Sequence, residues 1–281
     1  MRAELPAQVV ELVDAFRNPI TQIEFLYLLA NAKILDPVRV EEETARMVRP
    51  YAWLLDRVGT EGIKLTSAGY LPPADVEAAS AELGLADEWY GKFNREAQTL
   101  PVLELRESAM RLGLLRKCRG MLLATPRGRK LHSDPVGLWW HLAEQLPPAK
   151  IARHETHAGL LLLAAVAAGP AAGDDPLEYV ARMLGEAGWQ NSDGTAVTKW
   201  EARDAATDTH IALIRLGALA NARRGLEHEQ PTRDGALFAR AALRTWPYQP
   251  ELRRSGMSSA MSMGPPAEGY CHEDGTTPVA S

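Results

Sequence analysis

Residues 111–128 have the sequence RLGLLRKCRGMLLATPRG, and this stretch decides the fold. Gly113 suits the position just after a helix, where a left-handed backbone conformation is common. Two short apolar runs then flank Arg119-Gly120, a pair of residues that suits the turn of a hairpin. The run TPRG follows at residues 125–128, and its threonine can begin the next helix. The stretch therefore predicts a helix, a β-hairpin and a second helix, in that order.

Parts of the same pattern recur along the chain. RLG returns at residues 215–217, and Thr-x-x-Gly occurs as TSAG at 66–69 and as TRDG at 232–235. We therefore expect short hairpins near 63–66, 114–124 and 218–232, each followed by a helix. This order is the layout of a winged helix, in which the hairpin is the wing. The predicted fold class is mainly α, with tandem winged-helix-like units and short β-hairpins.

The pattern divides the chain into four predicted segments. They are an N-terminal helical segment (1–60), a winged-helix-like unit with a basic wing (61–148), a second such unit (149–247) and a disordered tail (248–281). The tail is rich in Ser, Gly, Met and Pro and has no apolar period. The apolar run at 158–168 is too short to span a bilayer, so we expect a helix that is buried on most sides.

Composition narrows the class of protein. The chain has 281 residues, 46% of them apolar, which is enough for a substantial core. Its net charge is -5, so the protein as a whole is not a basic nucleic-acid binder. Its two cysteines, Cys118 and Cys271, are far apart and offer no disulfide framework. With no secretory signal visible, we expect a cytoplasmic protein that does not bind membranes.

The strongest local signal is positive charge. Residues 106–130 contain eight basic residues and one acidic residue, Glu107. A cationic patch on an acidic body is the pattern expected of a phosphate binder, here double-stranded DNA. The alternative is that these side chains are solvated or pair with acids on neighbouring helices. The residues predicted to bind nucleic acid are Arg116, Lys117, Arg119, Arg127, Arg129 and Lys130.

The helix before each wing argues against DNA binding in the usual way, in which that helix enters the major groove. In the middle of the chain its predicted outer face consists of Glu104, Glu107, Ser108 and Arg111. The corresponding helix near the C-terminus is predicted to expose Asp204 and Asp208, and the wing after it contains Glu227 and Glu229. We therefore expect only the middle unit to suit nucleic acid.

Other candidate residues are few. Trp140 is predicted to lie near the polar side of its helix, either as a protein-interface anchor or buried under a neighbouring unit. His154 and His157 are three apart, which is not the spacing of the zinc-protease motif. Cys118 lies among cations, and Cys271 is in the tail. We predict no catalytic residues, no metal site and no cofactor, and a protein that is not an enzyme.

Several long blocks resemble one known family. They include KLTSAGYLPP at 64–73, WYGKFNRE at 89–96, LELRE at 103–107, RLGLLRKCRG at 111–120, DPVGLWWHL at 134–142 and AALRTWP at 241–247. This region, about two thirds of the chain, is similar to part of actinobacterial plasmid pRiA4b ORF-3-like proteins. The ORF-3 domain that normally precedes it is not visible in residues 1–50. The resemblance implies no settled activity.

Two functional hypotheses follow from these patterns. The first is a DNA-binding regulatory protein that uses the basic wing. The second is a protein-interaction scaffold that uses Trp140 and the acidic helices, and its partner is another protein or a second copy of the chain.

Overall fold

The computed structural model describes residues 4–85, 93–148, 151–170, 175–220 and 229–245. Its chain is mainly helical and has two small antiparallel sheets, which confirms the coarse fold class predicted above. The helices of the N-terminal half are α1 (Ala7–Ala15), α2 (Pro19–Asn31), α3 (Glu42–Ala45), α4 (Arg49–Val58), α5 (Pro73–Glu82) and α6 (Leu100–Arg111). The later helices are α7 (Pro126–Leu131), α8 (Pro135–Glu144), α9 (Arg153–Ala168), α10 (Pro176–Glu186), α11 (Lys199–Ala205), α12 (Thr207–Arg215) and α13 (Arg233–Thr245). The strands are β1 (Ile63–Lys64), β2 (Leu115–Cys118), β3 (Met121–Ala124), β4 (Leu219–Ala220) and β5 (Gln230–Pro231).

The hairpin predicted at 114–124 is confirmed. Strands β2 and β3 pair antiparallel, with Leu115 opposite Ala124 and Cys118 opposite Met121. Only Arg119 and Gly120 separate the strands, and their φ angles are 50° and 75°. Two consecutive positive φ angles characterise a type I′ turn, whose twist matches that of the strands it joins. Gly120 adopts this conformation at little cost, whereas Arg119 is an uncommon residue there.

The predicted hairpin at 63–66 is wrong. The single strand β1 pairs instead with β3, with Ile63 opposite Leu122, so the sheet order is β1-β3-β2. The predicted hairpin at 218–232 is present as the short pair β4 and β5, with Leu219 opposite Pro231. Its turn, residues 221–228, lies outside the described residues.

Two of the three Thr-x-x-Gly copies form the same local structure. Thr125 Oγ1 accepts a hydrogen bond from the Gly128 amide at 3.0 Å, and Thr232 Oγ1 accepts one from Gly235 at 3.0 Å. The two threonine hydroxyls also donate to the carbonyls of Gly113 and Gly217, so each ties a helix start to the preceding helix end. A side chain at Gly128 or Gly235 would collide with the carbonyl oxygen of the residue just before a strand, Leu114 or Ala218, which explains the glycines.

The first copy, Thr66 to Gly69, does not begin a helix. The Gly69 amide donates to the Thr66 carbonyl, and the Thr66 amide donates to the Tyr70 carbonyl. Gly69 has a φ of 78°, so its glycine supplies a turn conformation rather than close packing. The helix predicted to follow is present, and α5 starts at Pro73.

Helix α9 lies at the centre of the protein. Its residues 156–167 are all buried, which confirms the prediction for the apolar run. Helices α2, α10, α12 and α13 pack around it, and its buried side chains belong to one continuous cluster that extends from Leu5 to Leu243. Within the described ranges, every helix is too short or too polar to cross a membrane. The predicted disordered tail lies outside the described residues.

Candidate nucleic-acid interface

The basic residues of the hairpin lie on different faces. Arg116 is exposed and pairs with Leu123, whereas Lys117 pairs with the buried Leu122 on the opposite face. Partial burial, together with the charge of Arg106, lowers the pKa of Lys117 from its usual value. Because the two faces of a hairpin cannot both contact one duplex, Arg116 and Lys117 do not form one patch. Arg119 is exposed at the tip.

The remaining predicted residues are on α7, directly after the hairpin. Arg127, Arg129 and Lys130 are all exposed. Arg129 Nη1 donates to the Ala124 carbonyl at 2.9 Å, which holds its side chain back against β3. Arg127 Nε lies 3.4 Å from His141 Nδ1.

His141 links α7 to the end of α6. Its Nε2 lies 2.9 Å from the Leu112 carbonyl, to which only a protonated nitrogen can donate. Nδ1 therefore accepts from Arg127, which gives the neutral ring. Burial lowers the pKa of His141, in agreement with a neutral imidazole beside a guanidinium. The contact fixes Arg127 near the hairpin.

Two further cations of this segment are paired with carboxylates. Arg106 is buried, and its Nε donates to Glu96 Oε1 at 2.5 Å. The other oxygen of Glu96 accepts from the Leu71 amide at 2.7 Å, so the carboxylate is bonded on both sides. Arg111 forms an ion pair with Asp208 of α12. The surface charge of the segment is therefore smaller than its sequence suggests.

The predicted outer face of α6 is covered at two of its four residues, Ser108 and Glu104. Ser108 is buried, and its Oγ lies 2.7 Å from the hydroxyl of Tyr51 on α4, whose pKa burial raises to about 12. Glu104 lies 3.4 Å from Arg215 Nη2 on α12. The side chains of Glu107 and Arg111 remain 46% and 49% exposed. The prediction of a solvent-facing surface is therefore wrong for Ser108, which packs against α4, and for Glu104, which α12 partly covers.

Helices α6 and α12 pair through reciprocal charges. Glu104 and Arg111 are seven residues apart on α6, and Asp208 and Arg215 are seven apart on α12. Glu104 pairs with Arg215 and Arg111 pairs with Asp208, so the helices run antiparallel. Burial raises the pKa of Glu104, although the nearby Arg215 opposes this shift.

The acidic residues predicted for the last wing and for the helix before it do not form one exposed acidic surface. Glu229 is buried, and its two oxygens lie 2.7 and 2.9 Å from Nε2 of the buried His210 on α12. Asp208 is half-buried against Arg111, whereas Asp204 is exposed as predicted. Glu227 lies outside the described residues.

Trp140, the predicted interface anchor, is half-buried. Its ring packs edge-on against Trp139, with 5.0 Å between centroids, and Trp139 in turn packs against Phe238 of α13 at 5.2 Å. Trp140 therefore packs against the aromatic pair, Trp139 and Phe238, that joins α8 to α13.

A different apolar surface was not predicted. Ile20, Ile23 and Tyr27 of α2 are 74%, 67% and 69% exposed, on the face opposite the buried Phe25 and Leu29. The sequence analysis predicted a helical segment here and no exposed apolar surface, although α2 is apolar around most of its circumference. That excess of apolar residues on a second face was the signal that could have revealed the surface.

The histidines considered as metal ligands have structural partners. His157 Nδ1 accepts from the indole nitrogen of Trp189 at 3.1 Å, and burial lowers the pKa of His157 to about 4. His154 packs against the same indole ring, 5.7 Å between centroids. Among the described residues, no group of three or more His, Cys, Asp or Glu side chains could hold a metal ion. Cys271 lies outside that part of the chain.

Comparison of the chain with protein-family models, with curated proteins and with solved structures finds no match.

Proposed function

We propose that the chain consists of two winged-helix-like units in tandem. The order α4-β1-α5-α6-β2-β3 is that of a winged helix, and α9, α10, α12, β4 and β5 follow the same order. Helix α4 packs against α5, α6, α7 and β3, and α9 packs against the corresponding α10, α12, α13 and β5. The shared Thr-x-x-Gly caps support this correspondence. The position that would match β1 falls in residues 171–174, which are outside the described residues.

The function we propose is binding of the nucleic-acid backbone through the basic wing, without recognition of base sequence. The observation that carries this proposal is the exposure of Arg116 and Arg119 on the hairpin together with Arg127 and Lys130 on α7. Arginine and lysine side chains bind phosphates by charge and hydrogen bonding, which fix position but do not identify bases. Base recognition would require α6 in the major groove, and α12 occupies its outer face.

The expected affinity follows from the number of phosphates reached. If two to four of these four cations bind phosphates together, log affinity should fall with log salt with a slope of roughly -2 to -3.5. Duplexes of equal length but different base sequence should bind equally well. We also propose a cytoplasmic location, which the use of only two, widely separated cysteines supports.

A gel-shift or anisotropy titration with random duplex DNA over a salt series tests this function. The variant Arg116→Glu/Arg119→Glu should lower the magnitude of the slope by about 2 and weaken binding strongly at low salt. The matched control is Lys33→Glu/Arg39→Glu, which changes the same charge at exposed positions far from the wing in sequence. Equal losses in the two variants would indicate a general charge effect and would exclude the wing as the contact.

A second candidate function is a protein-interaction scaffold. The exposed apolar residues of α2 favour it, and they lie on an element that the first hypothesis does not use. Association that is insensitive to salt, with no binding of DNA at low salt, would support the scaffold over the nucleic-acid binder.

A further inference from the structure

The exposed apolar face of α2 has the spacing of a helix-pairing seam. Ile20, Ile23, Tyr27 and Ala30 are separated by three, four and three residues, and all four are exposed. This is the a/d spacing with which one helix packs along another. We call these four residues the α2 seam.

The seam is held in a fixed orientation. On its other face, Phe25 packs edge-on against Phe16, and α2 lies against the central helix α9. Thr21 Oγ1 donates to Glu186 at 2.9 Å. The Glu24 carboxylate accepts hydrogen bonds from both terminal nitrogens of Arg182, at 2.5 and 3.2 Å. A helix anchored in this way loses little conformational freedom when a second helix packs on it.

We propose that the α2 seam binds the same seam of a second copy of this chain, with the two helices antiparallel. In a two-fold interface one surface meets itself, so the seam must be self-complementary. A two-fold axis that crosses the seam level with residue 25, midway along it, places Ile20 opposite Ala30 of the second copy, and Ile23 opposite Tyr27. A large side chain then meets a small one at each end, and two large side chains pack on each side of the axis.

Charge at the edge of the seam is compatible with this pairing. Glu24 lies close to the proposed axis, and two unpaired carboxylates there would repel each other. Each Glu24 is already paired with Arg182, whose guanidinium also lies 5.2 Å from the centre of the Tyr179 ring. The two copies therefore bring two neutral pairs together, and either arginine can bridge both carboxylates.

The size of the seam sets the strength of association. A helix of 13 residues is about 20 Å long, and a single seam of this length buries less than the roughly 800 Å² per partner of a standard interface. We therefore expect a weak, reversible dimer, with a dissociation constant of roughly 10 µM or higher. The interface is separate from the wing, so it forms whether or not the chain binds DNA.

The test must also distinguish a second copy of the chain from other segments or proteins that could cover the α2 seam. Arg244 Nη1, near the end of α13, donates to the carbonyl of Asp36, five residues after α2, and residues 246–281 follow α13 in the sequence. Those residues, or a different protein, would leave the full chain monomeric at every concentration.

Analytical ultracentrifugation of the full chain from about 5 to 500 µM tests the proposal. The weight-average mass should rise from monomer toward dimer as concentration increases. Ile23→Glu should remain monomeric throughout, because it places a charge at the centre of the seam. Trp200→Glu is the matched control: Trp200 is 70% exposed on α11, and this variant should associate like the wild type. A monomeric wild type, or equal association of the Ile23→Glu variant, would overturn the proposal.

Cross-linking tests the orientation. In a Cys118→Ser/Cys271→Ser background, a mixture of Ile20→Cys and Ala30→Cys chains should form a mixed disulfide dimer faster than either variant alone. Faster linking of Ile20→Cys with itself would indicate parallel helices and would refute the antiparallel arrangement.

Discussion

Replacing Arg106 with leucine should destabilise the protein severely, although Arg106 belongs to the same basic segment as the wing. The Arg106 and Glu96 side chains are 1% and 0% exposed, and their ion pair is 2.5 Å long. Without Arg106, the Glu96 carboxylate would stay buried, with its charge unpaired and the Leu71 amide still donating to it. Breaking a buried pair by removing one partner costs about 3–5 kcal/mol. For a chain of this size, that corresponds to a fall in Tm of roughly 10 °C.

Two companion variants isolate the cause. Arg116→Leu removes an exposed arginine from the same segment and should change stability by less than about 0.5 kcal/mol. Arg106→Leu/Glu96→Gln removes both charges, while the amide oxygen of glutamine can still accept from Leu71. This double variant should recover more than half of the stability that Arg106→Leu loses.

Urea denaturation followed by far-UV circular dichroism measures the free energy of unfolding for all three variants. If Arg106→Leu is as stable as Arg116→Leu, then Arg106 is not a buried partner of Glu96, and the division of the basic segment into internal and surface cations fails. If the double variant is no more stable than Arg106→Leu, lost packing rather than an unpaired carboxylate explains the change.

Two further predictions concern packing and pH. Gly128→Ala and Gly235→Ala should each lower the free energy of unfolding by about 2 kcal/mol or more, because the new methyl meets the carbonyl just before a strand. Gly185→Ala, which has open space in α10, should instead stabilise the protein by up to about 1 kcal/mol. Urea denaturation measures all three, and equal effects would refute the close approach. Buried His157 has a pKa of about 4, so it stays neutral in the fold while the unfolded chain binds a proton below about pH 6.5. Stability should therefore fall by roughly 3 kcal/mol between pH 6.5 and 4, and His157→Gln should weaken this dependence while the exposed His132→Gln should not.

Local signals in the sequence were sufficient for the second hairpin. Arg119-Gly120 lies between two apolar runs, and a turn with two adjacent strands needs no information from elsewhere in the chain. The strand β1 could not be placed in the same way. It has two residues, and its partner β3 begins 57 residues after it, so no local pattern identifies the pairing. The prediction therefore gave β1 a hairpin of its own.

The faces of α6 were misassigned for a different physical reason. Polar residues on one side of a helix usually face water, so Glu104 and Ser108 were placed outside. An interface built from ion pairs has the same pattern as a solvated face, and hydrophobic periodicity cannot separate the two. The matching spacing of Glu104 with Arg111 and of Asp208 with Arg215 was the available signal. It becomes visible once the RLG sequences that end the two helices are aligned.

The antiparallel pairing of α6 and α12 also limits what this protein can bind. A helix that recognises bases must present its outer face to the major groove. Here α6 gives that face to α12 and α12 gives its own to α6, through two reciprocal ion pairs beside a continuous core. Separating them would break both pairs and expose apolar surface, so α6 is not available to DNA in this fold. Under our proposal, binding depends on the wing alone, and one copy offers few phosphate contacts. Pairing through α2 would join two basic wings in one particle and raise affinity by multivalency where both reach the same duplex. Dimerisation and DNA binding should then strengthen each other, and Ile23→Glu should weaken DNA binding without altering the wing.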